Sequence, residues 1–479
     1  MNRYPFNALN AFLPLALLLS GCAFMHDTQP TLDQQLPVSH VDSALPSALK
    51  NGWPDSQWWQ DYHDAQLNEL VKNALANAPD MQMAEQRIRL AEAQAKAVEA
   101  QDGLQMDFSA DIERQKMSAE GVMGPFAITD PAMGSTGPWY TNGTFGLSAG
   151  WDLDLWGKNR AEVTARIGIV KAQEAEREQT RQLLASSVAR LYWEWQTQSA
   201  LSTLLNQIEQ EQQAIINTNR QLYQNGIIDS VNGVETDIDD SKTRQQLNDV
   251  AGNMKVIEAR LSALTNTQST SLKLHEVSLP KVESQLPAQL GYSLLARRAD
   301  LQAAHWMIES SMSSVDAAKA AFYPDINLMA FLQQDALHLS DLFRNSAQQM
   351  GVTAGLTLPI FDSGRLNANL ELTQAQTNLS IATYNKAVVD AVNDVARTAS
   401  QVETLMQKNQ HQQQIEHDAE RVVELAQARF NAGIIAGSRV SQAKIPALRE
   451  QVNGLILQGQ WLDASIQLTG ALGGGYHHS

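Results

Sequence analysis

The chain has 479 residues, a formal net charge of −17 at neutral pH and a sequence pI near 5.0. This length exceeds one ordinary domain, and the acidic balance argues against a nucleic-acid partner, which would need a basic stripe. Aromatic residues make up only 6% of the chain, a composition that suits long solvated helices better than one large core. We therefore expect two units or one elongated repeat.

The N-terminus has the organisation of a signal peptide, because residues 6–19 form a mainly apolar region that follows Arg3 and leads into "LLSGCA". That motif resembles the lipobox of bacterial lipoproteins. The resemblance implies that residues 1–21 are removed and that Cys22, the only cysteine, receives a diacylglycerol group and an N-acyl chain. Ala23 replaces the aspartate that is typical of inner-membrane retention, which points to the outer membrane. An ordinary signal peptide that happens to contain a cysteine is the alternative.

The chain repeats itself at fixed offsets. The stretch "TFGLSAGWDLDL" alternates apolar and polar residues over residues 144–155, which predicts a strand. The pattern returns in "VTAGLTLPIF", and the glycines that follow, Gly157 and Gly364, are separated by 364 − 157 = 207 residues. An earlier helix-and-strand stretch also occurs twice, and Asp80 of the first copy aligns with Asp300 of the second, an offset of 300 − 80 = 220 residues. The difference, 220 − 207 = 13 residues, falls in a Gly/Pro-rich loop of the first half.

Each half contributes two predicted strands, at about 105–113 and 144–155 and at about 325–333 and 351–360. Beyond Cys22 no apolar run reaches 18 residues, so a membrane crossing would need a closed β-barrel. The strands have about the length that spans an outer membrane, with apolar residues toward lipid. Four strands cannot close a barrel, so two copies would supply eight and three copies twelve. Twelve is expected, because several acidic residues would face a wet interior: Asp107, Asp111, Glu113, Asp152 and Asp154.

A long helix follows each strand pair. Residues 160–223 contain no proline and one glycine, and residues 365–432 contain neither, so each predicts a rod of roughly 95–100 Å. The first rod carries a coiled-coil seam of Leu201, Leu205, Ile208, Gln212, Ile215, Asn219 and Leu222. A plain antiparallel hairpin in a helical bundle is the alternative.

Both rods end at the same kind of turn, "QNGII" and "NAGII", with glycines 433 − 226 = 207 residues apart. Glycine permits the positive φ that a tight helix exit needs. The paired isoleucines then lie at a tip with little core beneath them, which suggests a partner surface. Packing under neighbouring helices of the same assembly is the alternative. The tip residues are Gly226, Ile227, Ile228, Gly433, Ile434 and Ile435.

Several features of the chain belong to one pattern: the repeat order, the lipobox, the paired tips, the entry "WWQDYHDAQLNELVKNAL", and the strand exits "LDLWGKNR" and "LPIFDSGRLNANL". Together they resemble the outer membrane factor family, the TolC-like exit ducts of tripartite efflux pumps. The likeness covers essentially the whole mature chain. It implies a mainly α fold with a membrane β-barrel: a homotrimer with a twelve-stranded barrel, continuous with a long α-helical coiled-coil barrel in the periplasm. It also implies docking through the tips onto a periplasmic adaptor (a membrane fusion protein) coupled to an inner-membrane transporter.

On this basis we divide the chain into a signal peptide, a lipidated extended segment, two repeats with hairpin tips at 224–230 and 431–437, and a tail. The boundaries are 1–21, 22–64, 65–285, 286–470 and 471–479. The expected function is that of the outer membrane exit channel of a tripartite multidrug efflux pump, which passively conducts substrates from the adaptor and inner-membrane transporter to the outside. An exit duct for type I protein secretion and a periplasmic adaptor-like coiled-coil lipoprotein remain alternatives.

The predicted aperture departs from the family pattern. Well-known members carry acidic residues a few positions after the second tip glycine, whereas this chain has Arg439 and Gln442 there. In the first half Asn232 takes the equivalent place, and the nearby acids Asp229 and Glu235 lie off the expected register. The sequence therefore argues against an acidic, cation-binding gate. The hypothesis is that Arg439 pairs across the tip with Asp229 or Glu235 and holds the duct shut.

No catalytic, metal-binding or cofactor motif stands out. The acidic run "ETDIDD" at 235–240 is interpreted as a solvated helix face, and His305 lacks the spacing of a zinc-binding HExxH motif. We therefore expect no enzyme activity, no metal and no cofactor besides the lipid on Cys22. Trp139, Tyr140, Trp151 and Trp156 could form aromatic girdles at the membrane rims or be buried, and both interpretations stay open.

Overall fold

The computed structural model describes residues 25, 32–34, 52–116, 118, 139–229, 231–268, 272–281, 286–287 and 291–476. The chain divides into two compact units. The sheet unit contains Arg89–Lys171 and Trp306–Ala382, and the helical unit contains Gln34–Ile88, Ala172–His305 and Thr383–Ser479. Each unit takes segments from both sequence repeats, so the repeats do not correspond to the two units.

The elements follow one another in the same order in both halves. In chain order they are a 3-10 helix Trp58–Tyr62, α1 Ala65–Asn77, α2 Pro79–Gln101, β1 Gln105–Lys116, β2 Trp139–Leu153, α3 Lys158–Gln224, α4 Val231–Leu264, α5 Gly291–Arg297, α6 Ala299–Ala320, β3 Asp325–Ala336, 3-10 turns Leu339–Asp341 and Asn345–Ala347, β4 Gln348–Thr357, α7 Arg365–Asn431 and α8 Gly437–Ala471. The predicted order of helix, strand pair, long helix, turn and helix is confirmed in each half. Among the described residues, no helix has both the length and the apolar character to cross a membrane.

The two long helices, α3 and α7, each contain 67 residues. They stay continuous because they hold no proline, which would break the hydrogen-bond ladder. The predicted seam of α3 lies against other helices, since Leu201, Leu205, Ile208, Gln212 and Ile215 are all buried. Burial of this stripe, more than intrinsic helix propensity, stabilises helices of such length.

The strands form one antiparallel sheet in the order β1-β2-β3-β4. Strands β1 and β3 begin where predicted and extend further toward their C-termini, whereas β2 and β4 are offset toward their N-termini, and β2 ends at Leu153 instead of Leu155. The predicted extension of β4 to Ile360 is wrong, because Pro359 has no N–H for the ladder and the strand ends at Thr357. The Ile360 side chain is 91% exposed.

The main core lies in the helical unit, where α1 packs against α3, α4 and α8. Leu67, Tyr192, Leu261 and Leu462 are fully buried there. The Asp64 carboxylate caps the start of α1 and also bonds a side chain of α3. One of its carboxylate oxygens accepts from the Leu67 backbone N–H at 2.8 Å, and the other accepts from the Tyr192 hydroxyl at 2.8 Å. This N-terminal cap fixes where α1 begins against α3.

The interpretation of "ETDIDD" as a solvated face is wrong at its last residue. Asp240 is buried, and its carboxylate accepts from the Gln213 amide at 2.8 Å and pairs with Arg244 at 3.0 Å. A buried carboxylate is tolerated here because both partners satisfy it.

Candidate functional site

The strand register gives the sheet one polar and one apolar face, because paired residues on neighbouring strands point to the same side. Asp111 pairs with Thr144, and Thr144 with Asp335, along the polar face. Phe108 pairs with Leu147 on the apolar face. The polar face carries the carboxylates of Asp107, Asp111, Glu113, Asp152, Asp325 and Asp335. The apolar face remains largely exposed: Met106, Phe108, Ile112, Leu147, Trp151, Leu332, Met350, Val352 and Leu356.

The third strand has a less regular pattern because two large apolar residues, Met329 and Phe331, lie on the polar face. Phe331 is accommodated by a glycine on the neighbouring strand. Its partner across the pair is Gly351, where a Cβ atom would lie 2.8 Å from the Phe331 ring. Gly146 plays a similar part on β2, since a Cβ there would lie 2.5 Å from the Gln333 backbone. These glycines let strands and side chains approach closely, a requirement that hydropathy alternation does not reveal.

The prediction that Asp154 faces the interior of a barrel is wrong. Strand β2 ends at Leu153, and the two carboxylate oxygens of Asp154 accept from the backbone N–H groups of Asn159 and Arg160 at 3.1 and 3.0 Å. Asp362 caps the start of α7 in the same way, with distances of 3.0 and 2.9 Å. Both carboxylates satisfy N–H groups that a helix start leaves unpaired.

The predicted aromatic residues at the strand ends are partly exposed. Trp139 is 53% exposed, and Trp151 and Trp156 are each 46% exposed. The Trp156 ring stacks on Tyr323 with centroids 4.9 Å apart, and its indole N–H donates to the Pro324 carbonyl at 2.9 Å. Within one chain these tryptophans are therefore not fully buried, and their place in an aromatic girdle stays a prediction.

Both hairpin tips have the same backbone geometry. At the end of α3, Gly226 has a φ of 66° and its N–H donates to the Tyr223 carbonyl at 2.9 Å, while the Ile227 N–H donates to the Leu222 carbonyl at 2.9 Å. At the end of α7, Gly433 has a φ of 73° and the same pair of bonds, each 2.9 Å long. This is the Schellman motif, which needs a left-handed residue at the position that glycine occupies.

The tips present apolar side chains to solvent within one chain. Ile227 is 66% exposed and Ile434 is 71% exposed, while Ile228 and Ile435 are partly buried. Such residues gain little from the folding of a single chain, and the partner surface at the tips stays a prediction.

The aperture candidates lie close to the first turn of α4 or α8. Asp229 and Glu235 are exposed, and Asn232 lies in α4, although its side chain is outside the described part of the structure. The Arg439 guanidinium donates to the Gln442 amide oxygen at 2.9 Å within α8. The ion pair of Arg439 with Asp229 or Glu235 stays a prediction.

The two hairpins are joined by a contact that the sequence did not reveal. The Lys444 ammonium of α8 lies 2.7 Å from the Glu211 carboxylate of α3, although the residues are 233 positions apart. Burial alone would raise the pKa of Glu211, but hydrogen bonds from Lys444 and Ser441 outweigh it and lower that pKa. Pro446, two residues further along α8, removes one N–H from the helix ladder beside this contact.

A second unpredicted feature lies between α7 and α8. The Glu416 carboxylate lies over Gly454, where a Cβ atom would collide with it. The Gln412 amide donates to the backbone and carboxylate of Glu450 at 2.9 and 3.2 Å. Burial and the neighbouring Glu450 charge raise the pKa of Glu416. A Gln-rich helix with scattered acids gave no signal for this arrangement.

The predicted lipidation site, Cys22, lies outside the described residues, so it stays a prediction. Within the described ranges, no group of three His, Cys, Asp or Glu residues could hold a metal ion. The His305 ring lies 6.4 Å from the Tyr384 ring, in packing between helices.

Comparisons with known proteins agree with this architecture. The family model described as outer membrane efflux protein matches residues 70–267 and 290–474. The multidrug resistance outer membrane protein MdtQ of Escherichia coli O6:H1 is 78% identical over 476 residues, which cover 99% of this chain and 100% of MdtQ. MdtP of Shigella flexneri, also a multidrug resistance outer membrane protein, is 36% identical over 98% of this chain and 96% of its own length.

Solved structures show the same fold. The outer membrane protein VceC of Vibrio cholerae superposes with a TM-score of 0.77 at 27% identity, covering 88% of this chain and all of VceC. The CmeC outer membrane channel of Campylobacter jejuni gives a TM-score of 0.81 at 20% identity, covering 94% of each chain. These relatives are outer membrane proteins, and the solved neighbours share the TolC-like architecture. The chain belongs to the outer membrane efflux protein family.

Proposed function

We propose that the protein is the outer membrane exit channel of a tripartite multidrug efflux pump. It conducts substrates passively, and a partner transporter in the inner membrane supplies the energy. The relatives named above carry multidrug resistance in their names, and the family match covers both repeats. No bond-breaking chemistry belongs to this role.

The observation that carries the proposal is the two-faced sheet. Its apolar face leaves Phe108 and Val352 at 66% and 81% exposure, and its opposite face carries six carboxylates. A water-soluble sheet would cover such an apolar face with other elements. A sheet that divides lipid from an aqueous path needs this arrangement.

The open edges of the sheet support a homotrimer. Within the described chain β1 pairs only with β2, and β4 pairs only with β3. Lipid cannot satisfy the free N–H and C=O groups of an edge, so β4 of one copy must pair with β1 of the next. Three copies give twelve strands, which leave room for a wet interior lined by carboxylates, whereas eight strands would be filled by side chains.

The proposal places the lipid-modified Cys22 in the outer membrane beside the barrel. A diacylglycerol and an N-acyl chain together provide a stable anchor, because each buried methylene contributes about 0.8 kcal/mol. Labelling with radioactive palmitate would test it: wild type should incorporate label and Cys22→Ser should not.

The hairpin tips are the proposed docking surface for the periplasmic adaptor. Two turns of identical geometry each present an exposed isoleucine, so three copies would display six equivalent tips. Apolar side chains at the end of a helical hairpin suit the groove of another helical hairpin.

Conductance in planar bilayers tests the channel directly. Ser148 and Ala149 are sequence neighbours on opposite faces of β2. The proposal predicts that a positively charged thiol reagent lowers the conductance of Ser148→Cys and leaves Ala149→Cys unchanged. The only native cysteine is Cys22, which both variants share. Absence of conductance in wild type, or equal block in both variants, would contradict the proposal.

A further inference from the structure

A cleft lies between α3 and α8 within the helical unit. Its volume is about 420 Å³, and its walls include Trp193, Glu194 and Leu201 of α3 and Ile456 and Asp463 of α8. Sites for small organic ligands are usually concavities of about 300–1,000 Å³ with an apolar lining and a few polar groups. The cleft therefore has the size and the mixed lining of a ligand site.

Contacts within one chain fix the walls of this cleft. A Cβ atom at Gly459 of α8 would lie 2.8 Å from the Thr197 hydroxyl oxygen of α3, so the two helices approach closely at that point. The Arg190 guanidinium of α3 donates to both carboxylate oxygens of Asp463 of α8. A glycine contact and an ion pair thus join the two helices that form the cleft.

The cleft is lined by a buried hydrogen-bond donor that lacks an acceptor. Trp193 is only 3% exposed, and its indole N–H finds no acceptor among the described residues. The Thr197 hydroxyl, one turn along the helix, donates to the Trp193 carbonyl at 2.8 Å. An indole nitrogen can only donate, and a buried donor without an acceptor costs free energy. A ligand that brings an acceptor atom would remove this cost.

The charged side chains around the cleft leave one negative charge uncompensated. Arg190 and Asp463 offset each other through their ion pair. Glu194 is exposed, and it has no cationic partner within the described part of the chain. A lone carboxylate beside the apolar side chains of Leu201 and Ile456 favours a cation that also carries apolar surface.

We propose that this cleft binds drug-sized organic cations that carry a hydrogen-bond acceptor. The Glu194 carboxylate attracts the positive charge, and the Trp193 N–H donates to the acceptor atom. Leu201 and Ile456 cover the apolar surface of the ligand, which contacts α3 and α8 together. This inference goes beyond the proposed function, because a passive exit channel requires no binding site in its helical unit.

A second cleft provides an internal comparison. It has a volume of about 460 Å³, lies between α7 and α8, and shares Asp463 with the first cleft. Its α7 wall carries Lys408 and the hydroxyl groups of Ser400 and Thr404, and its lining includes neither an aromatic residue nor a second carboxylate. A lysine in place of a lone carboxylate disfavours cations, so we assign the ligand to the cleft between α3 and α8 alone.

Fluorescence polarisation of berberine tests the site on the full chain in a non-ionic detergent. Berberine is a drug-sized organic cation with ether oxygens as acceptors. The micelles take up dye equally in every sample, so the site is measured as the saturable part of the signal. We expect Glu194→Gln to weaken berberine binding about fivefold by removing the charge. Gln198 also lines the cleft, and Gln198→Trp should abolish binding by filling it.

Two matched variants serve as controls. Glu176 is another exposed carboxylate without a cationic partner among the described residues, and it lies 194 − 176 = 18 residues earlier on α3. Glu176→Gln removes the same charge outside the cleft, and Lys408→Gln changes the second cleft. Both should bind berberine as wild type does. Fluorescein, an anionic dye of similar size, should show no saturable binding.

Saturable berberine binding that falls in Glu194→Gln and stays unchanged in both controls would support the site. Equal uptake by every variant would assign the dye to detergent alone and overturn the proposal. Equal weakening by Glu176→Gln, or saturable binding of fluorescein, would overturn a site specific for cations. Glu194→Gln preserves the shape of an exposed side chain, so it decides the result even if Gln198→Trp does not fold. Absence of conductance in wild type would contradict the channel and leave the binding result standing.

Discussion

The contact between Glu211 and Lys444 should control how easily the two hairpins of a chain separate. It joins α3 to α8 at 2.7 Å, some distance behind the tips, and Pro446 weakens the α8 backbone beside it. Changing Glu211 to Gln removes the carboxylate charge and keeps the side-chain volume. We expect the Gln variant to spend more time with separated hairpins and a wider aperture.

The size of the effect follows from the exposure of the pair. The Lys444 side chain is 41% exposed and the Glu211 side chain is 21% exposed, so solvent screens the attraction and the pair contributes about 1 kcal/mol. A change of that size alters a two-state population about fivefold. Because the pKa of Glu211 is lowered, the contribution is present at neutral pH and is lost as the pH falls through that lowered pKa.

Single-channel recording in planar bilayers measures this directly. Glu211→Gln and Lys444→Met should each raise the occupancy of the higher-conductance state about fivefold at neutral pH. The double variant should equal either single variant, because the two residues act through one contact. Unchanged occupancy in both single variants, or additive effects in the double variant, would refute the reasoning.

Four further predictions concern the tips, a helix cap, a partly buried acid and the aperture. Gly433→Ala should cost about 1 kcal/mol, because alanine disfavours the φ of 73°, and thermal melts followed by circular dichroism would show it. Asp362→Ala should cost about 1 kcal/mol by removing the α7 cap, and unchanged melting would contradict this. Because the pKa of Glu416 is raised in the folded protein, the stability of the fold decreases as the pH rises through that pKa. Glu416→Gln should flatten this pH dependence in melts recorded above the ordinary glutamate pKa. Glu450→Gln should make the pH dependence smaller, because the Glu450 charge contributes to the shift. Arg439→Ala should raise conductance if Arg439 holds the aperture shut, and a conductance no higher than wild type would count against that lock.

The sequence predicted the elements well because their signals are local. Alternating side chains between Thr144 and Leu153 reveal β2, and the absence of proline reveals α3 and α7. The tip glycines were predictable for the same reason, since a positive φ at a helix end has few alternatives to glycine. The offset of 207 residues then linked the two halves.

Contacts between distant segments were not predictable from one sequence. Glu211 and Lys444 lie in different repeats, and neither stands in a motif. Asp154 was assigned to a strand because it continues the alternation of β2, whereas the need to cap α3 determines its position. The fit of Glu416 over Gly454 depends on the alignment of α7 with α8, which residue patterns along either helix do not specify.

The native mass of the detergent-extracted protein tests the central claim most directly. Light scattering corrected for bound detergent should give about three times the mass of the mature chain, whose full-length form is 52.7 kDa. That result would support closure of twelve strands and a ring of six tips. A mass of one chain would leave β1 and β4 without partners and would contradict the exit channel.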